Sequence, residues 1–392
     1  MPASAPHPVT ALPAAPGPTL GIIANPVSAR DIRRVVANAG NLQITDRVNI
    51  VLRVLSSAAA CGVARALVMP DRGGIRALLE RQFKRHAQPH HLHAGDDAQA
   101  TAYPAVEFLD MAPTSTVDDT FTATRLLLAA GVSAIVVLGG DGTHRAVARE
   151  LVAARSRVPI VGLSTGTNNA FPEMREPTIA GMAAGLYASG RLDAAAAAAV
   201  LVPNKLVEVR ITDRNGGGDG GGERSDIAIV DAVVTHDRSV GARALWKTSS
   251  LDAIYLAFAE PQAIGLSAIG ALLQPVGRRE GGGLAVQLAA DDASAALTLA
   301  APIAPGMVRP VRIAHWQRMA AGAPLAVAAT AGTVALDGER ELAFEPGQRV
   351  RMTLRENAFL SVDVARCMGV AAEQGLLRAA ALPTSALSHP ST

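Results

Sequence analysis

The sequence is poor in cysteine and in aromatic residues. Cys61 and Cys367 are the only cysteines among 392 residues, and they are too few and too far apart in sequence for a disulfide framework or a metal knuckle. We expect both to be buried apolar residues in a reducing cytosol, which predicts a cytoplasmic protein. With 3% aromatic residues and a net charge of +2, the chain offers neither stacking platforms nor a basic run for nucleic acid, which is therefore excluded as a partner.

Long apolar runs are also missing. Residues 1–19 are rich in proline and alanine but contain no lysine or arginine and no continuous apolar core, so we expect a disordered leader and not a signal peptide. The uncharged stretch 261–277 is interrupted by prolines, glutamines and glycines. It is shorter than the stretch of about 20 apolar residues that a helix needs to span a bilayer. These features predict a soluble protein with no transmembrane segment.

Two familiar nucleotide-binding loops are absent. The chain has no G-x-x-x-x-G-K-[ST] segment, which excludes a Walker phosphate loop, and no G-x-G-x-x-G at its first strand, which disfavours an ordinary dinucleotide-dependent dehydrogenase. Any phosphate would therefore have to be held by backbone, arginine and metal.

The chain is organised in two parts. Short apolar strands alternate with helical patterns over residues 20–195, which predicts an α/β, Rossmann-like domain with a parallel sheet and a ligand site at the carboxyl ends of its strands. Residues 196–362 are rich in β patterns and predict an all-β, sandwich-like domain. A C-terminal segment, 363–392, follows and ends in a tail that we expect to be disordered.

The β-rich part contains one strongly apolar stretch, residues 245–276, which we predict to be a helical insert. Two interpretations remain open for it. It is either a buried element, packed as a helix pair or as a subunit interface, or a surface that faces lipid. A subunit interface would make the protein a homo-oligomer.

The stretch VVLGGDGTHRAVA carries the clearest chemical signal. A buried strand ends at Leu138 and we expect a helix to start near Thr143. Such a turn offers free backbone N–H groups and the positive end of a helix dipole to a phosphate, and the glycines at 139, 140 and 142 allow close approach and tolerate positive φ.

Asp141 is the unexpected residue in this turn, because its carboxylate repels the phosphate that the turn attracts. It makes sense if it holds Mg²⁺ or accepts the proton of an attacking hydroxyl. The alternative is an aspartate that merely caps the following helix.

A second turn of the same kind follows the next strand, in VGLSTGTNNAF. It is built of small and hydroxylic residues followed by Asn168 and Asn169. Two adjacent strand-to-helix turns face each other across a crevice and can bind a polyphosphate. The asparagine side chains can hydrogen-bond to ribose hydroxyls or to an adenine edge. Alternatively, they hydrogen-bond only within the turn.

These motifs resemble those of a known superfamily. GGDGT after an apolar strand, the TGT-N-x-F turn and the β-rich second half are similar to the superfamily of NAD kinases and diacylglycerol-type lipid kinases, over most of residues 20–360. ANPVSARDIRR, GGDGTHRAVA and STGTNNAFPE resemble the acetoin-catabolism protein X branch, which is described as ATP-NAD kinase-like. The resemblance implies an ATP-dependent kinase that uses Mg²⁺.

The resemblance also implies roles for individual residues. Asp141 matches the aspartate that lies against the 2′-hydroxyl of the acceptor adenosine in NAD kinases, and Glu339 matches a candidate base of lipid kinases. The nucleotide-binding positions that it implies are Gly139, Gly140, Gly142, Thr143, Thr165, Gly166, Thr167, Asn168, Asn169 and Asp231.

Three departures distinguish this chain from the family patterns. Val230 and Asp231 stand where NAD kinases have Asn and Glu, and Ala170 replaces the acidic residue of the lipid-kinase turn. Three hypotheses therefore stand: phosphorylation of NAD or a related dinucleotide in NADP biosynthesis, phosphorylation of a lipid or another small alcohol, and nucleotide binding by an accessory protein without turnover.

Overall fold

A computed structural model describes residues 17–26, 42–87, 102–165, 169–213, 222–236 and 250–378. Most of the predicted leader and the C-terminal tail lie outside these ranges, as do residues 245–249 of the apolar stretch and Gly166, Thr167 and Asn168. No helix within the described ranges is both long enough and apolar enough to cross a membrane.

The first sheet begins as a parallel sheet. Its strands lie in the order β3-β2-β1-β4-β5, and all of these neighbours pair in parallel. β1 and β4 are buried along their whole length because helices cover both faces. The bounds are β1 Thr19–Ala24, β2 Arg65–Val68, β3 Ala105–Phe108, β4 Ala134–Gly139 and β5 Ile160–Ser164.

Helices connect these strands. Thr116 is the N-cap of one of them, because its hydroxyl accepts the N–H of Asp118. The helices of this half are α1 Ile44–Ala60, α2 Ile75–Ala87, α3 Val117–Ala129, α4 Asp141–Ala153, α5 Pro177–Ala188 and α6 Ala194–Ala199.

The strand order reverses between β1 and β4. The chain moves outward from β1 to β3 and then returns to place β4 on the other side of β1. Ligands of open α/β sheets bind at such a switch point, outside the carboxyl ends of the strands. Asn25 after β1 and the GGDGT turn after β4 meet there, and the Asn25 N–H donates to the Leu138 carbonyl at 3.2 Å.

Later strands extend this same sheet. β16 (Gln348–Val362) pairs in parallel with β5 through Ser361 and Ile160, and antiparallel with β6 (Leu201–Asp213). β7 (Arg224–Ala228) continues the sheet beyond β6, and β13 (Pro324–Ala326) pairs with β16. The β-rich part therefore contributes strands to the first sheet as well as forming a sheet of its own.

The second sheet is antiparallel, in the order β11-β12-β10-β9-β8-β14-β15. Its inner face packs against the β6 and β16 region of the first sheet, because Val209 and Met352 share a buried cluster with Val234 and Tyr255. This confirms the α/β fold with a sandwich-like C-terminal part. The bounds are β8 Asp231–Thr235, β9 Leu251–Leu256, β10 Gly283–Leu288, β11 Leu297–Ala304, β12 Met307–Met319, β14 Gly332–Leu336 and β15 Glu339–Phe344, with helices α7 Ser267–Leu273 and α8 Val364–Glu373.

The prediction of a helix across 245–276 was wrong for its central part. β9 occupies Leu251–Leu256 in the middle of the second sheet, and only α7 is helical within the described part of the stretch. Alternate β9 residues enter two different cores, Tyr255 on one side and Ile254 and Leu256 on the other. A strand buried on both faces is apolar throughout, so its period of two is hidden and it resembles a helix.

Candidate active site

The GGDGT turn joins β4 to α4 more tightly than predicted. The helix begins at Asp141, not near Thr143, and Gly140 is its N-cap with φ −93°. The turn glycines at 139, 140 and 142 do not have positive φ. Two of these positions require glycine because there is no room for a side chain. A Cβ on Gly139 would lie 2.5 Å from the Cβ of Thr143, and a Cβ on Gly140 would lie 2.9 Å from Oδ1 of Asn169.

Asp141 does not cap its own helix. Its two carboxylate oxygens accept the backbone N–H groups of Ala170 and Phe171, both at 2.9 Å. These two bonds fix the orientation of the carboxylate. The side chain is 9% exposed and lines a cleft between the two sheets. The helix-cap interpretation therefore does not describe this residue.

The second turn lies beside the first, as the motif spacing predicts. The Thr165 N–H donates to the Gly139 carbonyl at 3.2 Å. Asn169 uses its amide within its own turn, where Nδ2 donates to the Ser164 hydroxyl at 2.8 Å. Thr143 bonds to the turn after β1, accepting from the Asn25 amide at 3.3 Å.

Arg47 is a residue of this region that the sequence interpretation missed. It is 1% exposed, and its Nη1 donates to the Asn25 carbonyl at 2.8 Å and to the Thr165 hydroxyl at 3.3 Å. It thus links the turns after β1 and β5. The available signal was a charged residue in register with the buried positions 51, 54 and 58 of helix α1.

His144, which follows the motif, hydrogen-bonds to the backbone of the GGDGT turn. Its Nδ1 donates to the Gly140 carbonyl at 2.9 Å, because a carbonyl can only accept. The side chain is completely buried, and burial lowers the pKa of His144 to about 4, although the hydrogen bond to Gly140 opposes this shift. The ring is therefore neutral at neutral pH.

The second sheet brings two further carboxylates to the cleft. Asp231 begins β8 and Asp337 lies in the turn between β14 and β15, and both are buried. Asp337 accepts backbone N–H groups from Ile229, Val230 and Asp231 at 2.8–3.1 Å, and its own N–H donates to the Asp231 carbonyl. Burial, and secondly the charge of Asp231, raise the pKa of Asp337 well above its usual range.

Arg145 of helix α4 opposes this accumulation of negative charge. Its guanidinium lies 3.7 Å from the carboxylate of Asp337 and 3.5 Å from that of Asp226, and it is almost completely buried. The sequence motifs assigned no role to Asp337.

Glu339 lies beside the GGDGT turn. A Cβ on Gly142 would be 3.7 Å from Oε1 of Glu339, so the two motifs are in contact although they lie far apart in the sequence. Its neighbour Gly338 lines the cleft with Asp141. The structure therefore brings both candidate bases to the first turn of α4.

The cleft has one polar and one apolar side. The carboxylates form the polar side, and the other side is provided by the segment before α7 and by β11. Residues lining the cleft besides the three aspartates are Ala170, Ile264, Gly265, Leu266, Ser267, Ile303 and Gly338.

No protein-only metal site is visible in the described part of the chain, where no three His, Cys, Asp or Glu side chains are arranged to hold an ion. Magnesium does not require such a cage, because it commonly binds one or two carboxylates together with substrate phosphates and water. The oxygen donors of the cleft are of the type that Mg²⁺ prefers.

Comparison with known proteins agrees with the two-part architecture. Residues 20–192 match the family model of the ATP-NAD kinase N-terminal domain, and residues 205–357 match that of the acetoin catabolism protein X C-terminal domain. Yeast NADH kinase in complex with NADH has a TM-score of 0.47 at 12% identity, with 94% of this chain and 91% of that chain covered. A diacylglycerol kinase from Bacillus anthracis strain Sterne has a TM-score of 0.36 at 12% identity, with 89% and 97% covered.

One curated relative is much more similar. Acetoin catabolism protein X of Cupriavidus necator strain H16 is 55% identical over 368 residues, which cover 94% of this chain and 96% of the relative. At that identity and coverage, the chain belongs to the acetoin catabolism protein X family.

Proposed function

We propose that the protein transfers a phosphoryl group from ATP to a hydroxyl group, with NAD or a related dinucleotide as the first acceptor. The observation that carries this proposal is the position of Asp141. Its carboxylate is oriented by two N–H groups, lines a cleft, and lies at the N-terminus of α4 where the carboxyl ends of the parallel strands meet.

The backbone of the two turns suits the donor phosphates. The first N–H groups of a helix have no partner inside the helix, and the positive end of the dipole of α4 attracts anions. Thr143 and Thr165 place hydroxyl groups at the same edge of the sheet. Together these groups would bind the nucleotide.

The proton of the acceptor hydroxyl would pass to Asp141 as the new P–O bond forms and the bond to ADP breaks. A carboxylate is a weak base for an alcohol, so its contribution is mainly positional, at about 10²- to 10⁴-fold in rate. In its alternative role, Asp141 would hold Mg²⁺ together with Asp231, and the bound ion would neutralise charge on the donor phosphates.

Purified protein with γ-labelled ATP, Mg²⁺ and a panel of NAD, NADH, diacylglycerol vesicles and acetoin tests the proposal. We expect label in NADP or NADPH from the wild type and a large loss in Asp141→Asn. Asp110→Asn is the matched control, because Asp110 is exposed on the surface. Saturable binding of ATP and NAD without any labelled product would instead identify a nucleotide-binding accessory protein.

A second acceptor class is favoured by the apolar side of the cleft. Ile264, Leu266 and Ile303 line it together with the carboxylates, and no arginine or lysine is among the described residues of its lining. Such a surface suits an uncharged alcohol with an apolar body better than a diphosphate. Label in diacylglycerol or acetoin, with none in the dinucleotides, would select this acceptor class.

The family relationship supports a role connected with acetoin catabolism, since the relative from C. necator is named acetoin catabolism protein X. Deletion of the gene in its own host tests this role. We expect slower growth on acetoin than on glucose, restored by the wild-type gene and not by the Asp141→Asn gene. Equal growth of all strains on acetoin would contradict it.

A further inference from the structure

Arg278 connects the second sheet to the turn that orients Asp141. It lies between α7 and β10, and its guanidinium donates to two backbone carbonyls of the first-sheet turn. Nη1 donates to the carbonyl of Phe171 at 2.6 Å, and Nη2 donates to the carbonyl of Ala170. These are the two residues whose N–H groups bind Asp141.

The peptide group between Ala170 and Phe171 is therefore held at both ends. Its carbonyl accepts from Arg278, and its N–H donates to Oδ1 of Asp141. A positive group at the carbonyl and a negative group at the N–H both align with the peptide dipole, and hydrogen bonds to charged groups are stronger than neutral ones. Bonds arranged in series in this way also polarise one another.

Arg278 is itself fixed on several sides. Nε lies 3.0 Å from the Glu260 carboxylate, and the guanidinium lies over the ring of Phe258, 4.6 Å from its centroid. Both side chains of the ion pair are less than a quarter exposed. The planar fork uses Nε, Nη1 and Nη2 on three different partners, a geometry that a lysine ammonium cannot reproduce.

Lys205 anchors the segment that carries Arg278. Its ammonium donates to the carbonyls of Gly277, Glu280 and Gly282 at 2.7–3.0 Å, and the residue is buried. Lys205 belongs to β6, which is a strand of the first sheet. A continuous set of polar contacts thus leads from β6 through Arg278 to the carboxylate of Asp141.

We propose that Arg278 is a positioning residue, which fixes the turn at Ala170 and Phe171 and thereby sets the orientation of the Asp141 carboxylate for proton acceptance. This inference rests on the proposed phosphoryl transfer. Its direct consequence is that Arg278 affects turnover more than nucleotide binding, because it lies behind the turn and outside the lining of the cleft.

Arg278→Lys, with Arg279→Lys as the matched control, tests the role. Arg279 is the next residue, is 60% exposed and pairs with Asp363 on the surface. We expect Arg278→Lys to lower kcat by about 10- to 100-fold, the range seen when a catalytic group is displaced by about 1 Å. The KM for ATP should stay within about 3-fold, and Arg279→Lys should match the wild type. An unchanged kcat, or a rise in KM alone, would overturn the proposal.

Hydrogen exchange provides a readout that does not depend on turnover. We expect the amides of Ala170 and Phe171 to exchange faster in Arg278→Lys than in Arg279→Lys, by about 10-fold or more. Exchange at the control rate would contradict the positioning role. If the wild type transfers no phosphate, the proposed function fails by itself, whereas an active wild type with an unaffected Arg278→Lys removes only the present inference.

Glu260→Gln is a second variant that leaves Arg278 in place. It removes the charge that holds Nε, and we expect a smaller decrease in kcat in the same direction, together with a melting temperature near that of the wild type. An effect larger than that of Arg278→Lys would show that Glu260, and not Arg278, determines the position of the turn.

Discussion

The two turns that meet at the cleft use an aspartate in the same way but in different surroundings. Asp141 accepts two N–H groups from the turn after β5, and Asp337 accepts three from Ile229, Val230 and the first residue of β8. The side chain of Asp337 is wholly buried, beside Arg145, whereas Asp141 retains some exposure. The same type of hydrogen bonding therefore holds a wholly buried carboxylate in one region and a carboxylate of a residue that is 9% exposed in the other.

The backbone emphasises this difference. Asp141 is the first residue of a helix, where negative charge is favoured, while Asp337 has φ +50° in a tight turn between two strands. A positive φ in a residue other than glycine is sustained only by strong surrounding contacts. We infer that Asp337 acts on stability and Asp141 on turnover.

The largest expected effect is on activity, in Asp141→Asn. We expect kcat to fall by about 10²- to 10⁴-fold, because an amide cannot accept the proton. The amide retains one of the two acceptors, so the free energy of unfolding should fall by only about 1–2 kcal/mol. Steady-state kinetics and urea unfolding measure the two effects, and a kcat within a factor of three of the wild type would remove Asp141 as the base.

Asp337→Asn should show the opposite pattern. Its amide keeps only one of the two oxygens that accept three buried backbone N–H groups, whereas Arg145 keeps Asp226, so we expect a loss of about 3 kcal/mol in the free energy of unfolding. Urea unfolding measures the loss. A variant as stable as the wild type but without turnover would reverse the comparison and make Asp337 the functional group.

The pH dependence of stability tests the packing below the GGDGT turn. The pKa of His144 is about 4 in the folded protein and about 6.5 when unfolded, so the unfolded chain binds more protons between these values. The contribution of neutral His144 to the free energy of unfolding is fully present above pH 6.5 and is lost as the pH falls to 4. For a pKa shift of this size the loss is about 3 kcal/mol.

The matched variant for this effect is His144→Asn, in which the amide nitrogen can still donate to the Gly140 carbonyl. We expect unfolding curves between pH 7 and pH 4 to show a flatter dependence for the variant than for the wild type. Parallel dependences of the two proteins would show that His144 does not titrate in this way.

The smallest expected effects separate two glycines of the motif. Gly139→Ala should cost about 1–3 kcal/mol, because the added Cβ would lie 2.5 Å from the Cβ of Thr143. A Cβ on Gly142 would have no atom closer than the Glu339 carboxylate at 3.7 Å, and Gly142 lies within α4. Gly142→Ala should therefore raise the free energy of unfolding by about 0.5–1 kcal/mol. Thermal melting of both variants checks the order, and equal melting temperatures would contradict it.

Much of the fold was predictable because its signals are local. The alternation of strands and helices in the first part and the change to β patterns in the second follow from periodicities within short windows. β9 was missed because both of its faces are buried, which removes the alternation on which strand prediction depends. The joining of β6 and β16 to the parallel strands was also not predicted, since no local pattern specifies the partner of a strand.

The candidate site divides in the same way. Asp141 and Asp231 were predicted and do line one cleft, and Glu339 reaches the GGDGT turn. Arg47 and Arg278 were not predicted, and Asp337 had no assigned role. Their contacts join segments far apart in the sequence, separated by 118 residues between Arg47 and Thr165 and by 108 residues between Arg278 and Ala170. Spacing within a motif contains no information about such partners.

The sequence by itself determined which chemical groups are present and which local turns hold them, because glycine, aspartate and apolar periodicity act over a few residues. Only the tertiary structure decided what each carboxylate does. Burial, the number of N–H donors and the distance to an arginine are properties of the packed chain, and these distinguish Asp141, which is 9% exposed, from Asp337, whose side chain is wholly buried beside Arg145.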